Sequence, residues 1–549
     1  MIDYYRLIHD ISSPPLFHLL IISLIYWITW IYSVRGEFVS DDIEGLQKFS
    51  DRLDKNNVID YYEFDPPKYI NLWKFGPSKI SKDNEKLKVR CKNKQFNPYV
   101  EFPGSIIRWL RLNLGSKWKV LGKNEKGHEV TGYVQSPFKH HIISLVIHFL
   151  NAILTYLFLS NIIDPRIAFM ATLLFIVHPV SVQVVAWCSG IGYMLSLLGM
   201  LISYNISIHT SNLYILIPSV VASTLISITG LLSGSINFLI LAFLGEWWAS
   251  ATALAVTLIF GIKWLRWVVN YRTTEFKKQK MERSTYVTWR KPIVIVKTFF
   301  YYLKTIIFPK RLGLFHEWGY HYEEKLEHAD LNFWGGLISI IAIWIWFKFT
   351  VFPIQFGILW FFSYLILFSN IITAQQFVAD RYAFISTLGY SIIISTLLVN
   401  QPILFAFILG LYMMRTWQHI PTFENEVHFY QSNYWNFPKS EVALGNLGVI
   451  YVNQQLTGTA MDTWYKATKI NPDYDVPWYN LYSIFRANGL YTQAKEVLEK
   501  CLNAKVCHFP DNWGEEYKRI TQLVELTKPI NEQIKIINKG ILEAKYEHH

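Results

Sequence analysis

A succession of apolar runs separated by short polar punctuation constrains this chain more than any other feature. The runs are Leu16 to Val34, Ile142 to Ile162, Ile167 to Val177, Met194 to Ile208, Leu213 to Ile228, one or two within Ile236 to Val269, Ile293 to Phe308, Phe333 to Phe349, Phe356 to Ile372, Ile385 to Val399 and Ile403 to Met414. About 20 apolar residues match the thickness of the hydrocarbon layer, and in lipid the backbone must satisfy itself, which leaves the helix as the spanning element. Composition agrees: 52% of the 549 residues are hydrophobic and 17% aromatic, and mean hydropathy is +0.19. The reading is an all-α, polytopic membrane protein of about eleven spans. Several runs fall short of a full crossing, so tilted, re-entrant or buried helices belong to the set.

The net charge of +11 does not make the chain a nucleic-acid binder. Its basic clusters, Lys82 to Lys94 and Arg272 to Lys291, lie outside the apolar runs, where they are either solvated loops or attractors of membrane lipids and lipid-linked phosphate. Four cysteines, Cys91, Cys188, Cys501 and Cys507, exclude a disulfide-built scaffold; a Cys501–Cys507 pair would need an oxidising compartment. The first apolar run has no small-residue cleavage site and reads as a signal anchor. Four regions follow: 1–35 the first span, 36–137 an extended external loop domain, 138–420 the multi-span body, and 421–549 a helical repeat region. Within the loop domain, Ile43 to Leu53 and Ile106 to Leu114 have helical amphipathic patterning.

The repeat region can be aligned to itself. With Glu441 at position 1, Leu444, Leu447, Gly448, Tyr451, Ala460, Trp464, Ala467 and Pro472 occupy the eight signature places of a 34-residue tetratricopeptide unit. One period later stand Trp478, Leu481, Tyr482, Phe485, Ala494, Leu498 and Cys501, and Trp513 to Leu526 with Ile530 to Ala544 read as a worn third unit or a cap.

Eleven crossings put the repeats on the side of the membrane opposite the N-terminus, and under that parity the polar punctuation converges on the non-cytosolic face. Asp41 and Asp42 follow the first span; their alternative is the acidic first turn of a helix capped by Ser40. His178-Pro179 ends a short run, and its imidazole suits a phosphate or a carbonyl. Arg381, in Asp380-Arg381-Tyr382, suits a phosphate oxygen or serves as an interfacial anchor. His148 and Asn151 share a helical face and read first as interhelical hydrogen-bonding groups, and Glu246 as a residue of a wet loop.

The ordered set Phe38-Val39-Ser40-Asp41-Asp42, Ser136 to His141 with His148 and Asn151, His178-Pro179-Val180 through Trp187-Cys188-Ser189-Gly190, Pro309 through Trp318, Asp380-Arg381-Tyr382 with Gly389, Arg415-Thr416-Trp417 and the terminal repeats resembles the transmembrane-and-tetratricopeptide O-mannosyltransferase family. The resemblance covers nearly the whole chain. It implies a GT-C glycosyltransferase that moves a mannose-like sugar from a polyprenyl-phosphate donor to a protein or glycan acceptor at the non-cytosolic face, in the endoplasmic reticulum or a bacterial inner membrane. It casts Asp41 or Asp42 as the catalytic carboxylate, Arg381, His178 and Lys139 as donor-phosphate ligands, and Asp380, His141, His148, Trp318 and Arg415 as support. Should the reaction take a divalent metal, Asp41 and Asp42 would hold it. The repeats would take the protein acceptor or a partner.

The chain departs from the family pattern at Gln183, where an acidic residue is usual, at Ile191, where Arg is usual, and at Ser233-Gly234, where a Lys-Glu pair is usual. Asp380 replaces Glu, and the insertion between Asp42 and Pro137 is long. A competing reading therefore stands beside the enzyme: a catalytically inactive membrane anchor for a tetratricopeptide scaffold.

Overall fold

The computed structural model describes residues 16–40, 114, 116–123, 129–230, 236–262, 291–314, 316, 328–370, 378–504 and 516–527. These are predominantly helical and fall into two units, the second made mainly of Asn433–His549.

The first unit opens with α1 (Leu16–Trp30), which tightens into a 3₁₀ turn at Ile31–Arg35. A two-stranded antiparallel hairpin follows, β1 (Ser116–Lys123) and β2 (Glu129–Gln135), with an irregularity between Val120 and Gly122. The helices α2 (Pro137–Ser160), α3 (Pro165–Ile176), α4 (Val182–Val185), α5 (Ile191–His209), α6 (Leu213–Gly230), α7 (Asn237–Phe243) and α8 (Trp247–Val256) come next. After them stand α9 (Lys291–Ile307), α10 (Leu331–Phe349), α11 (Phe352–Ile366), α12 (Asp380–Ala383), α13 (Ser386–Leu398) and α14 (Pro402–His419), with α15 (Glu426–Asn436) after these. The apolar runs are thus mainly helical where they are described, with turns at 161–162, 244–246 and 367–370. Among the described residues, five helices are long and apolar enough to cross a membrane, or six if α3 and the Pro179–Val185 segment, bent by 49°, form one span. The amphipathic stretch Ile43 to Leu53, and all but Leu114 of Ile106 to Leu114, lie outside the described residues.

Apolar solvent offers helices no hydrophobic reason to associate, so close approach and interhelical hydrogen bonds carry the packing. At the crossing of α11 and α13, Gly357 and Gly389 face each other so closely that a Cβ on Gly389 would stand 2.5 Å from the Gly357 carbonyl. Polar side chains tie neighbours together: Tyr26 Oη donates to Leu145 O (2.7 Å), Trp30 Nε1 to Ile176 O (2.8 Å), Asn151 Nδ2 to Met194 O (2.9 Å) and Trp360 Nε1 to Ile385 O (2.9 Å). By contrast α10 leaves Trp334, Ile338, Trp344 and Phe349 exposed, as a lipid-facing helix would.

At the mouth of α10, Lys297 is 2% exposed and its Nζ lies 3.0 Å from Asp330. Partial burial works to raise the Asp330 carboxyl, but hydrogen bonds from Lys297, the Phe333 N–H and Asn332 outweigh it and hold the group below its ordinary value.

The second unit repeats a two-helix element. α16 (Glu441–Asn453) and α17 (Thr457–Ile470) pack together, as do α18 (Asp475–Ala487) and α19 (Tyr491–Asn503). Gly448 leaves room for the indole of Trp464, whose Nε1 donates to Gly445 O at 2.8 Å. Ala460, Trp464, Trp478, Leu481, Ala494 and Leu498 form one buried cluster. Gln455 (φ +63°) and Gly489 (φ +72°) hold the left-handed turn between helices at equivalent repeat positions. The Cys501 sulfur is a thiol 3.7 Å from Asp475 O, and Cys507 lies outside the described residues.

Candidate functional site

The best-defined polar constellation grows from the short segment after α1. Glu37 N–H donates to Glu424 O (2.8 Å), Phe38 packs against Cys188 and edge-on to His140 at 5.5 Å, and Val39 O accepts from Trp187 Nε1 at 3.3 Å. Ser40 then takes a left-handed φ of +55°. An N-cap residue is extended, so this backbone is not that of a Ser40 cap. Asp41 and Asp42, the candidate catalytic pair, lie outside the described residues, as does Trp318.

Trp187 is the hinge of the arrangement. Its ring centroid lies 5.5 Å from the guanidinium carbon of Arg381, and the Tyr382 ring lies 4.8 Å from the same atom. Tyr382 is itself fixed by stacking on Phe368 at 4.7 Å with 7° between ring planes. Arg381 N–H donates to Gln183 Oε1 at 2.7 Å. A partly buried guanidinium between two aromatic walls has the chemistry to receive an anion, with its charge only partly screened by water.

Asp380, one residue earlier, turns inward. Its Oδ2 accepts from Gly313 N–H at 2.6 Å and its Oδ1 lies 3.1 Å from His316 Nε2; His316 Nδ1 in turn meets Tyr301 Oη. From α14, Arg415 donates to Pro309 O (3.0 Å) and Lys310 O (2.8 Å). Asp380 thus ties to Gly313 and His316, and Arg415 to Pro309 and Lys310.

The other residues that the resemblance implied have their own surroundings. His178 spends both ring nitrogens on backbone: Nε2 meets Ile306 O at 3.0 Å and Nδ1 accepts from Val180 N–H at 3.3 Å. Through Nδ1 His178 caps the 3₁₀ turn that Pro179 starts, and through Nε2 it meets a carbonyl, one of the two partners that its sequence position left open. Lys139 is exposed on the first turn of α2. His141 is buried beside Cys188, its ring nitrogens 3.8 and 3.9 Å from the sulfur, and closes over Gly36. His148 is fully buried among the rings of Tyr26, Trp30, Phe175 and Phe384, and among the described residues it has no hydrogen-bond partner. Asn151 makes the interhelical bond expected of that face, whereas His148 packs as a ring. Among the described residues no group of three or more His, Cys, Asp or Glu side chains could hold a metal ion.

Sequence reasoning passed over Gln183 as a departure and did not connect Tyr301 and His316 to Asp380. A lone amide within the apolar run Val182 to Ala186 was the available signal for the first. Comparison with family models, curated proteins and solved structures finds no match to this chain.

Proposed function

We propose that the protein is an integral membrane glycosyltransferase of GT-C type that takes a mannose-like sugar from a polyprenyl-phosphate donor and gives it to a protein or glycan acceptor. The observation that carries this reading is the chain of contacts from Val39 through Trp187 to Arg381, which links the backbone two residues before Asp41, by way of one indole, to a guanidinium suited to phosphate.

In the reaction, a carboxylate of Asp41 or Asp42 accepts the proton of the acceptor hydroxyl as its oxygen attacks the anomeric carbon. The bond from that carbon to the lipid phosphate oxygen breaks, and the phosphate departs with the electron pair toward Arg381, where the added charge is stabilised. Direct displacement inverts the anomeric centre. The eleven crossings expected from the sequence would put the N-terminus in the cytosol and the C-terminal unit on the opposite face, in the endoplasmic reticulum or a bacterial inner membrane. The helical pairs of that unit, read as tetratricopeptide repeats, would hold the acceptor or a partner.

The test is transfer by the full chain in nanodiscs from a polyprenyl-phosphate sugar, with acceptors identified by mass spectrometry. Asp41→Asn or Asp42→Asn should leave the fold intact, and at least one should lower transfer by roughly 10²- to 10⁴-fold. Wild-type rates in both variants would move the reading to a non-catalytic scaffold.

A further inference from the structure

Gln183 holds a position that its tie to Arg381 does not explain. Its side chain is fully buried, and Oε1 accepts the Arg381 N–H at 2.7 Å. The same planar amide carries Nε2, which is buried and among the described residues has no hydrogen-bond partner. Buried donors are satisfied in nearly all proteins, and an exception calls for a ligand or another function. A carboxylate would accept the Arg381 N–H as well as the amide does, so the backbone tie alone gives no reason for glutamine.

An anion ligand supplies that reason. We infer that Gln183 is a neutral donor of the subsite headed by Arg381, its Nε2 hydrogens binding a phosphate oxygen of the lipid-linked donor. Glutamic acid at this place would lose both N–H donors and set a negative charge beside the phosphate, reducing the positive field of Arg381. Glutamine adds a donor at no cost in charge. Trp187 and Tyr382 flank the guanidinium and leave it only partly exposed, which strengthens both contacts. This inference rests on the reading of Arg381 as the phosphate receptor and extends it to a residue that the family resemblance counted as a loss.

The experiment is equilibrium binding of a short-chain polyprenyl monophosphate to the full chain in phosphatidylcholine nanodiscs, with the uncharged polyprenol as companion probe. Gln183→Glu keeps the backbone tie and the side-chain shape; it should weaken phosphate binding by roughly 10- to 100-fold, the range of a hydrogen bond to a charged group, and leave polyprenol binding unchanged. Equal loss of both probes in Gln183→Glu would mark a packing role and overturn the inference. If Gln183→Glu binds like wild type while Arg381→Ala loses tenfold or more, the inference falls and the function reading stands. If both variants bind the phosphate like wild type, the phosphate reading of Arg381 fails, and the inference with it.

Discussion

Gly190→Ala tests whether the architecture around Arg381 is as tight as function requires. Gly190 has ordinary helical angles (φ −72°, ψ −10°), so space, not backbone freedom, demands glycine there. An added Cβ would stand 2.4 Å from Val184 O, 2.8 Å from its Cα and 2.9 Å from its carbonyl carbon. These are backbone atoms of α4 and cannot rotate away. Reaching the 3.0 Å floor of such contacts separates α4 from the Trp187–Gly190 turn by at least about 0.6 Å. Overpacking of this kind costs about 1–3 kcal/mol. The two pieces forced apart are the one carrying Gln183 and the one carrying Trp187, which together surround Arg381. Since a misplacement of about 1 Å can cost on the order of 10²-fold in rate, transfer should fall by roughly 10-fold or more. Gly410→Ala in α14 is the control, because a Cβ there meets nothing within 4 Å; it should gain up to about 1 kcal/mol from helix propensity and leave transfer unchanged. Thermal unfolding and transfer would be measured on both variants in nanodiscs. Wild-type melting and transfer in Gly190→Ala would refute the reasoning, as would equal losses in the control.

Gln455→Gly should stabilise the second unit by roughly 0.5–1 kcal/mol, since the left-handed backbone of Gln455 (φ +63°) costs a side chain about 1–2 kcal/mol and glycine returns part of that gain as unfolded-state entropy. Hydrogen exchange across 441–503 reads it, and faster exchange in the variant would contradict it. Asp330→Asn should lower the melting temperature at pH 7 by leaving the buried Lys297 ammonium short of its carboxylate. Because the Asp330 carboxyl is held below its usual value, its contribution is present above the unfolded pKa of about 4 and is lost as pH falls through the folded one; the gap between wild type and variant should therefore shrink on acidification, and a pH-independent gap would exclude the ion pair as its source. Ile191→Arg should destabilise by about 3–5 kcal/mol, as an unpaired buried charge does, and adding Gln183→Glu should recover about 1–3 kcal/mol of it; strictly additive losses would show that the two positions do not communicate.

What could be read from sequence was what period and composition encode. Leu331–Phe349 and Leu213–Gly230 form within two residues of their apolar runs because lipid and core both demand a self-satisfied backbone. The 34-residue period extends to the left-handed pair Gln455 and Gly489, since each unit meets the same turn geometry. The hairpin Ser116–Gln135 was missed although Lys117-Trp118-Lys119-Val120 alternates as a strand does. The contact of Gln183 with Arg381, 198 residues apart, was out of reach because no local pattern records which helix ends meet. For His178 the sequence left two partners open, and only the position of Ile306 O decides between them.

The two departures nearest Arg381 make more sense together than apart. Val184 and Gly190 are in backbone contact, so positions 183 and 191 flank one junction, and both side chains there are buried. The resemblance implies an acid at the first position and an arginine at the second. Exchanging only the acid for Gln183 would leave the arginine as a buried charge without its counter-ion; exchanging only the arginine for Ile191 would leave a buried carboxylate beside the phosphate receptor. Exchanging both removes one charge of each sign and leaves the net charge of the junction unchanged. Arg381 then keeps its positive charge with a neutral side chain, Gln183, on its backbone N–H. If Arg381 receives the phosphate as proposed, the pair of substitutions leaves that charge in place, and Gln183 and Ile191 give no ground by themselves for reading the site as inactive.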